Sequence, residues 1–123
     1  MMQSTKGYHK LLVCLKLREL IKEIYLITEK FPKTEIFGLT SQVRRAIVSV
    51  LLNIVEGQRR ESKKDFLHFL DIADASLVEV EACLEITLDL KYLSHEEYEI
   101  IEEKRKEIAY MLVAFIKSLS KPL

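Results

Sequence analysis

Leu39-Thr-Ser-Gln-Val-Arg-Arg-Ala-Ile-Val-Ser-Val-Leu-Leu-Asn-Ile-Val-Glu-Gly-Gln-Arg-Arg60 is the stretch whose reading decides the fold. Wound as an α-helix at ~100° per residue, it is apolar on nearly every side except one narrow stripe. Gln42, Arg45, Ser49, Asn53, Glu56 and Arg60 make up that stripe. A helix patterned this way is built to be surrounded, and its polar stripe requires partners because unpaired polar groups are costly to bury. Gly57 stands where a left-handed residue would end the helix.

Three further helices flank this segment. Before it, residues 8–31 repeat Leu17, Leu20, Ile21, Ile24, Ile27 and Phe31 at helical spacing, with Lys16, Glu19, Lys22, Glu23 and Glu29 outward. Pro32 is placed to stop that helix, and Lys33 to Gly38 form a short connector. After it, Gln58 to Lys64 form a charged connector in which Ser62 and Asp65 resemble a helix cap. A third helix to about Leu90 carries Phe66, Phe69, Leu70, Ala73, Leu77, Val80, Leu84 and Leu88 as one apolar stripe. A second, mixed stripe holds Ile72, Ser76, Glu79, Cys83 and Ile86. Ser94 and Glu97 spell a capping box for a fourth helix, whose Ile101, Ile108, Leu112, Phe115 and Leu119 run near heptad spacing up to Pro122. Four helices with short connectors fold most simply as an all-α, antiparallel up-down-up-down four-helix bundle.

Composition agrees. A chain of 123 residues is expected to form one domain over residues 1–123, and three Gly with two Pro leave few places for turns. Charge is zero overall but unevenly placed. Residues 1–64 carry 13 basic and 6 acidic side chains, residues 65–103 carry 12 acids against Lys91, and the remainder carries five bases against Glu107. Such asymmetry can guide a polyanion to one face or pair neighbouring subunits head to tail. The apolar run from Ala46 to Val55 is far shorter than the ~20 residues of a membrane span, so a cytoplasmic protein without membrane contact is expected. Cys14 and Cys83 read as two buried thiols of a reducing compartment.

The ordered set Phe37-Gly-Leu-Thr-Ser-Gln-Val-Arg-Arg-Ala46, Ser49, Asn53-Ile54, Glu56-Gly57 and Arg60-x-Ser62 is specific. It continues through Lys64-Asp-Phe-x-x-Phe-Leu70, Ala73, Ser76-Leu77 and Glu79. From about Lys10 to Leu119 the chain resembles the four-helix-bundle family of 23S rRNA intervening-sequence proteins. That family includes the accessory variability determinants of diversity-generating retroelements. The resemblance implies a bundle that assembles as a homopentameric ring. In the retroelement branch it also implies binding of nucleic acid and a reverse transcriptase. Three positions depart from the family pattern: Leu51 where Pro is frequent, Ala75 where Gly is usual, and Cys14 where an aromatic is common. Loss of the Pro should weaken any kink, and Ala75 should space the third helix slightly from its neighbour.

Two candidate sites follow from the residues. The stripe of Gln42, Arg45, Ser49, Asn53 and Glu56 reads as a buried or interfacial polar network with Arg45 and Glu56 as charge partners, or alternatively as a ligand pocket. Ser76 and Glu79 are its expected counterparts. Arg59, Arg60, Lys63 and Lys64 place four cations in six residues, either as a solvated corner or as a contact for RNA or DNA phosphates, with Arg44 added if it faces outward. Asp65 and His68 give one Asp-x-x-His pair, whereas di-metal bundles use carboxylates from all four helices and two such pairs. His9 and His95 stand near helix ends. No catalytic, cofactor or metal motif is present in the sequence. The expected protein is a non-catalytic oligomeric adaptor for nucleic acid and a polymerase-type partner. The rival is a purely structural self-assembling protein.

Overall fold

The computed structural model describes residues 8–121, with side chains from Leu12 onward. Four helices follow in order: α1 Tyr8–Thr28, α2 Leu39–Gln58, α3 Lys63–Asp89 and α4 His95–Ser120. A short 3-10 turn, Lys33–Glu35, lies in the first connector. Each helix packs against its neighbours in chain order, and α4 closes back on α1, which is the up-down-up-down bundle. No strand occurs among the described residues. His9 and Pro122 lie outside the residues whose side chains are described.

Helical spacing accounts for the core. Val13, Leu17, Leu20 and Ile24 of α1 meet Val43, Ala46, Ile47, Val50 and Ile54 of α2 inside the bundle. Leu70, Ala73, Leu77, Val80 and Leu84 of α3 close the third side, and Ile101, Ile108 and Leu112 of α4 the fourth. Both predicted N-terminal caps form. Ser62 Oγ accepts from the Asp65 N–H at 3.0 Å, and Ser94 with Glu97 makes the reciprocal capping box.

The chain departs from its sequence reading at two helix ends. α1 stops at Thr28 rather than Phe31. A residue before proline is pushed out of the α region, so the helix unwinds ahead of Phe31 and Pro32. Thr28 Oγ1 turns back onto the Ile24 carbonyl at 2.8 Å, and Phe31 tucks under the bundle against the Tyr92 ring, with centroids 5.3 Å apart. The second departure is Gly57, which does not cap α2 in a left-handed conformation: it is helical, buried, and has no positive φ. That conformation falls instead to Lys91, with φ 63°, where the Tyr92 N–H reaches back to the Thr87 carbonyl at 3.1 Å to close α3. α2 begins at Leu39, directly after the expected connector, and its first amide, Leu39 N–H, is held by the Glu35 carboxylate at 3.0 Å. The same carboxylate accepts from the Tyr92 hydroxyl at 2.9 Å. The Leu39 amide and then Tyr92 hold the Glu35 carboxyl below its ordinary range. It is therefore already charged where an unfolded glutamate would still be partly protonated.

Leu51 leaves α2 unbroken, as the missing proline predicts. Ala75 is exposed, so its methyl spaces nothing within the bundle and that expectation is withdrawn. Cys83 is buried and Cys14 only half-buried. Burial pushes the Cys83 thiol up, helped by the Glu79 charge.

Gly57 matters for a different reason than the one expected. A Cβ placed there would lie 2.8 Å from Phe66 Cδ1 and 3.1 Å from Phe69 Cβ. Helix propensity alone would make Gly57→Ala stabilising by about 1 kcal/mol. Close packing of α2 on α3 reverses the sign, and a loss of about 1–3 kcal/mol is expected in urea unfolding.

Candidate functional site

The polar stripe of α2 runs along its seam with α3 and is not buried. Gln42 Nε2 donates to the Glu79 carboxylate. Ser49 Oγ and Ser76 Oγ lie 3.0 Å apart, and Asn53 Nδ2 donates to the Ser49 carbonyl at 2.8 Å and to Ser49 Oγ at 3.0 Å. Ser76 and Glu79 are thus the counterparts that the spacing on α3 suggested. Gln42 and Glu79 are exposed, while Ser49, Asn53 and Ser76 are half-buried. This is a surface zipper between two helices, and its Arg45, Ser49 and Asn53 also line an open groove with Tyr25, Arg44 and Leu52.

The expected Arg45–Glu56 pair does not form. Three helical turns separate these residues, ~16 Å of rise, which two side chains on one helix do not span. Glu56 pairs instead with Arg60, one turn away, at 2.6 Å. The Arg60 guanidinium also lies over the Phe69 ring at 4.7 Å, tying the end of α2 to α3. Arg45 is exposed, and no ion pair or hydrogen bond among the described residues engages its guanidinium.

Arg59, Arg60, Lys63 and Lys64 are all exposed at the end of the bundle where α2 passes into α3. The fold adds cations that the linear sequence kept apart. Lys63 Nζ donates to the Lys121 carbonyl at 3.5 Å, which brings the end of α4, with Lys117 and Lys121, beside the corner. Glu61 and Asp65 are the interspersed acids, and the Asp65 amide serves the Ser62 cap.

Arg44 does not join this corner. It sits about 22 Å of helical rise from Arg59. Its Nε donates to Thr28 Oγ1 at 2.9 Å and its Nη2 to the Tyr25 carbonyl at 3.3 Å, with the guanidinium 4.5 Å from the Tyr25 ring centroid. Arg44 is a clasp between α2 and the end of α1.

Asp65 and His68 are both exposed, and His68 packs edge-on against Phe69. No group of three or more His, Cys, Asp or Glu among the described residues is placed to hold a metal ion. His95 opens α4 and is exposed. No helix among the described residues is long and apolar enough to cross a membrane.

One polar element went unread in the sequence. Arg105 and Glu102 are 5% and 6% exposed between α3 and α4. The guanidinium donates to both carboxylate oxygens, at 2.8 and 2.6 Å, and Glu81 of α3 stands 3.5 Å away. The Glu102 bonds hold Arg105 above its already high range, against the opposing effect of burial. The signal was present: position 105 falls on the Ile101, Ile108, Leu112 stripe, where a charge demands a partner one turn away.

A protein-family model described as 23S rRNA-intervening sequence protein matches residues 9–114. Among solved structures, the chain is similar to a protein of unknown function from the S23 ribosomal protein family of Bacteroides thetaiotaomicron VPI-5482. The two are 28% identical with a TM-score of 0.80, over 89% of this chain and 98% of that one. No curated protein matches.

Removing one member of the buried pair strands the other. Glu102→Ala is expected to cost about 3–5 kcal/mol in thermal or urea unfolding. Glu102→Leu combined with Arg105→Met should recover most of that loss, because apolar replacement of both partners removes the desolvation cost along with the bond.

Proposed function

The chain belongs to the 23S rRNA-intervening sequence protein family, and from that premise we propose that it is a non-catalytic, self-assembling helical adaptor that binds nucleic acid through its basic end. The observation that carries this reading is the convergence of Lys63, Lys64, Lys117 and Lys121, all exposed, at one end of the bundle beside Arg59. Exposed, mobile cations favour phosphate contact without base specificity, so the binding is electrostatic and tolerant of sequence. Self-assembly supplies the strength. One corner is a weak patch, and repeating it in every copy multiplies the contacts available to one strand.

Self-assembly is supported by what the bundle leaves uncovered. Leu15, Leu26, Leu52 and Val55 are exposed on α1 and α2. Apolar surface of this kind on a small protein marks an interaction face. The sequence resemblance to accessory variability determinants supports a homopentamer working in the cytoplasm with a reverse transcriptase. Co-purification with a reverse transcriptase encoded beside the gene tests that partner.

Filter binding of the purified protein to single-stranded RNA and DNA at two salt concentrations tests the nucleic-acid reading. Affinity should fall as salt rises, and each of Lys63→Ala and Lys64→Ala should lower the slope of log affinity against log salt by about one. Arg44→Gln should leave the slope unchanged. Absence of binding at low salt removes nucleic acid from the proposal and leaves a structural self-assembling protein.

A further inference from the structure

α2 and α3 each carry a ladder at heptad spacing on the side away from the core. On α2 it reads Arg45, Leu52 and, at the residue that caps the helix, Arg59, and on α3 it reads Asp71, Val78, Glu85. All six side chains are exposed, Leu52 at 59% and Val78 at 55%. No ion pair among the described residues uses any of the four charges. Seven residues are two turns, ~10 Å of rise, so the two ladders repeat at the same interval. One is cation, apolar, cation; the other is acid, apolar, acid.

The surroundings extend the match. On α1, Arg18 and Lys22 are flanked by Leu15 and Leu26, all four are exposed, and Leu15, Arg18 and Lys22 share a groove with Leu51 of α2. Asp74 and Asp89 border the α3 ladder. Each ladder faces away from its own bundle, so the two are not brought together within one chain.

We infer that the Arg45–Leu52–Arg59 ladder of one copy docks on the Asp71–Val78–Glu85 ladder of a second copy of this chain. The contact joins two different surfaces and is therefore heterologous: each copy keeps a free ladder at either side, and copies add until the rotation closes a ring. Leu52 and Val78 form the apolar centre, and the flanking charges set register and exclude the like-charged alternative, as charges beside a helical seam do. This assignment rests on the self-assembly reading above and specifies the surfaces that carry it.

Charge exchange tests it by sedimentation velocity, with circular dichroism to show that each variant is folded. Arg45→Glu with Arg59→Glu, and separately Asp71→Arg with Glu85→Arg, should each weaken association by about tenfold or more. Combining all four substitutions in one chain should restore it, because every copy then again carries one acidic and one basic ladder. Restoration establishes the contact, because neither a general loss of stability nor a same-surface dimer would produce it. If folded variants assemble like the parent, or if the four-fold exchange fails to restore assembly, the ladder contact is overturned while self-assembly stands. A parent chain that stays monomeric at all concentrations overturns both.

Discussion

A helix in a four-helix bundle touches two neighbours and therefore buries about half of its circumference, whatever its composition. α2 is apolar over more of its surface than that. Val43, Ala46, Ile47, Val50 and Ile54 take the inward half, and Leu52 and Val55 are left facing outward. This geometric limit governs the rest of the molecule. It sets the polar stripe at the edge of the buried half, against α3, where hydrogen bonds can be met without full desolvation. It also leaves an apolar outer surface that the bundle itself has no means to cover.

The seam between α2 and α3 is the tightest in the structure because Gly57 lets the Phe66 and Phe69 side chains approach the α2 backbone. The hydroxyl pair of Ser49 and Ser76 continues that approach along the helix, since two small side chains hold the axes close while satisfying each other. At its end Arg60 covers Phe69 and binds Glu56. Residues that share one stripe on the helical wheel thus do several different jobs, decided by which part of α3 lies opposite.

The fold was legible because spacing and caps agree: four apolar stripes, Ser62, and the Ser94–Glu97 box all indicate the same elements. The ends of helices were less so. Whether Gly57 turns left-handed or packs depends on the phenylalanines of α3 across from it, and no pattern within α2 contains that information. Arg45 and Glu56 share a stripe, yet a wheel projects away the rise that keeps them apart. Whether Arg44 faced outward stayed open in the sequence because Thr28 and Tyr25, its partners, belong to another helix. The basic corner was visible as a run of four cations, but Lys117 and Lys121 join it only through the antiparallel return of α4. Position 105 was legible in principle, since a charge on an apolar stripe is an anomaly that local spacing to Glu102 resolves.

Where the charges are used within the chain indicates where they remain available. The seam between α1 and α4 consumes its own: Lys16 pairs with Glu107, Lys104 with Glu23, and Lys30 with Glu97. Such exposed pairs each contribute ~0.2–1 kcal/mol, enough together to favour this side as a closed, self-satisfied surface. The outward sides of α2 and α3 differ in kind. Arg45 and Arg59 on one side, Asp71 and Glu85 on the other, enter no ion pair among the described residues although both signs are close at hand in the sequence. Folding separates them because the heptad that aligns each ladder also turns it away from its neighbour. Charges of opposite sign held apart by the fold, at equal spacing and around apolar centres, are left to solvent within one chain, and these are the surfaces on which the proposed contact between copies rests.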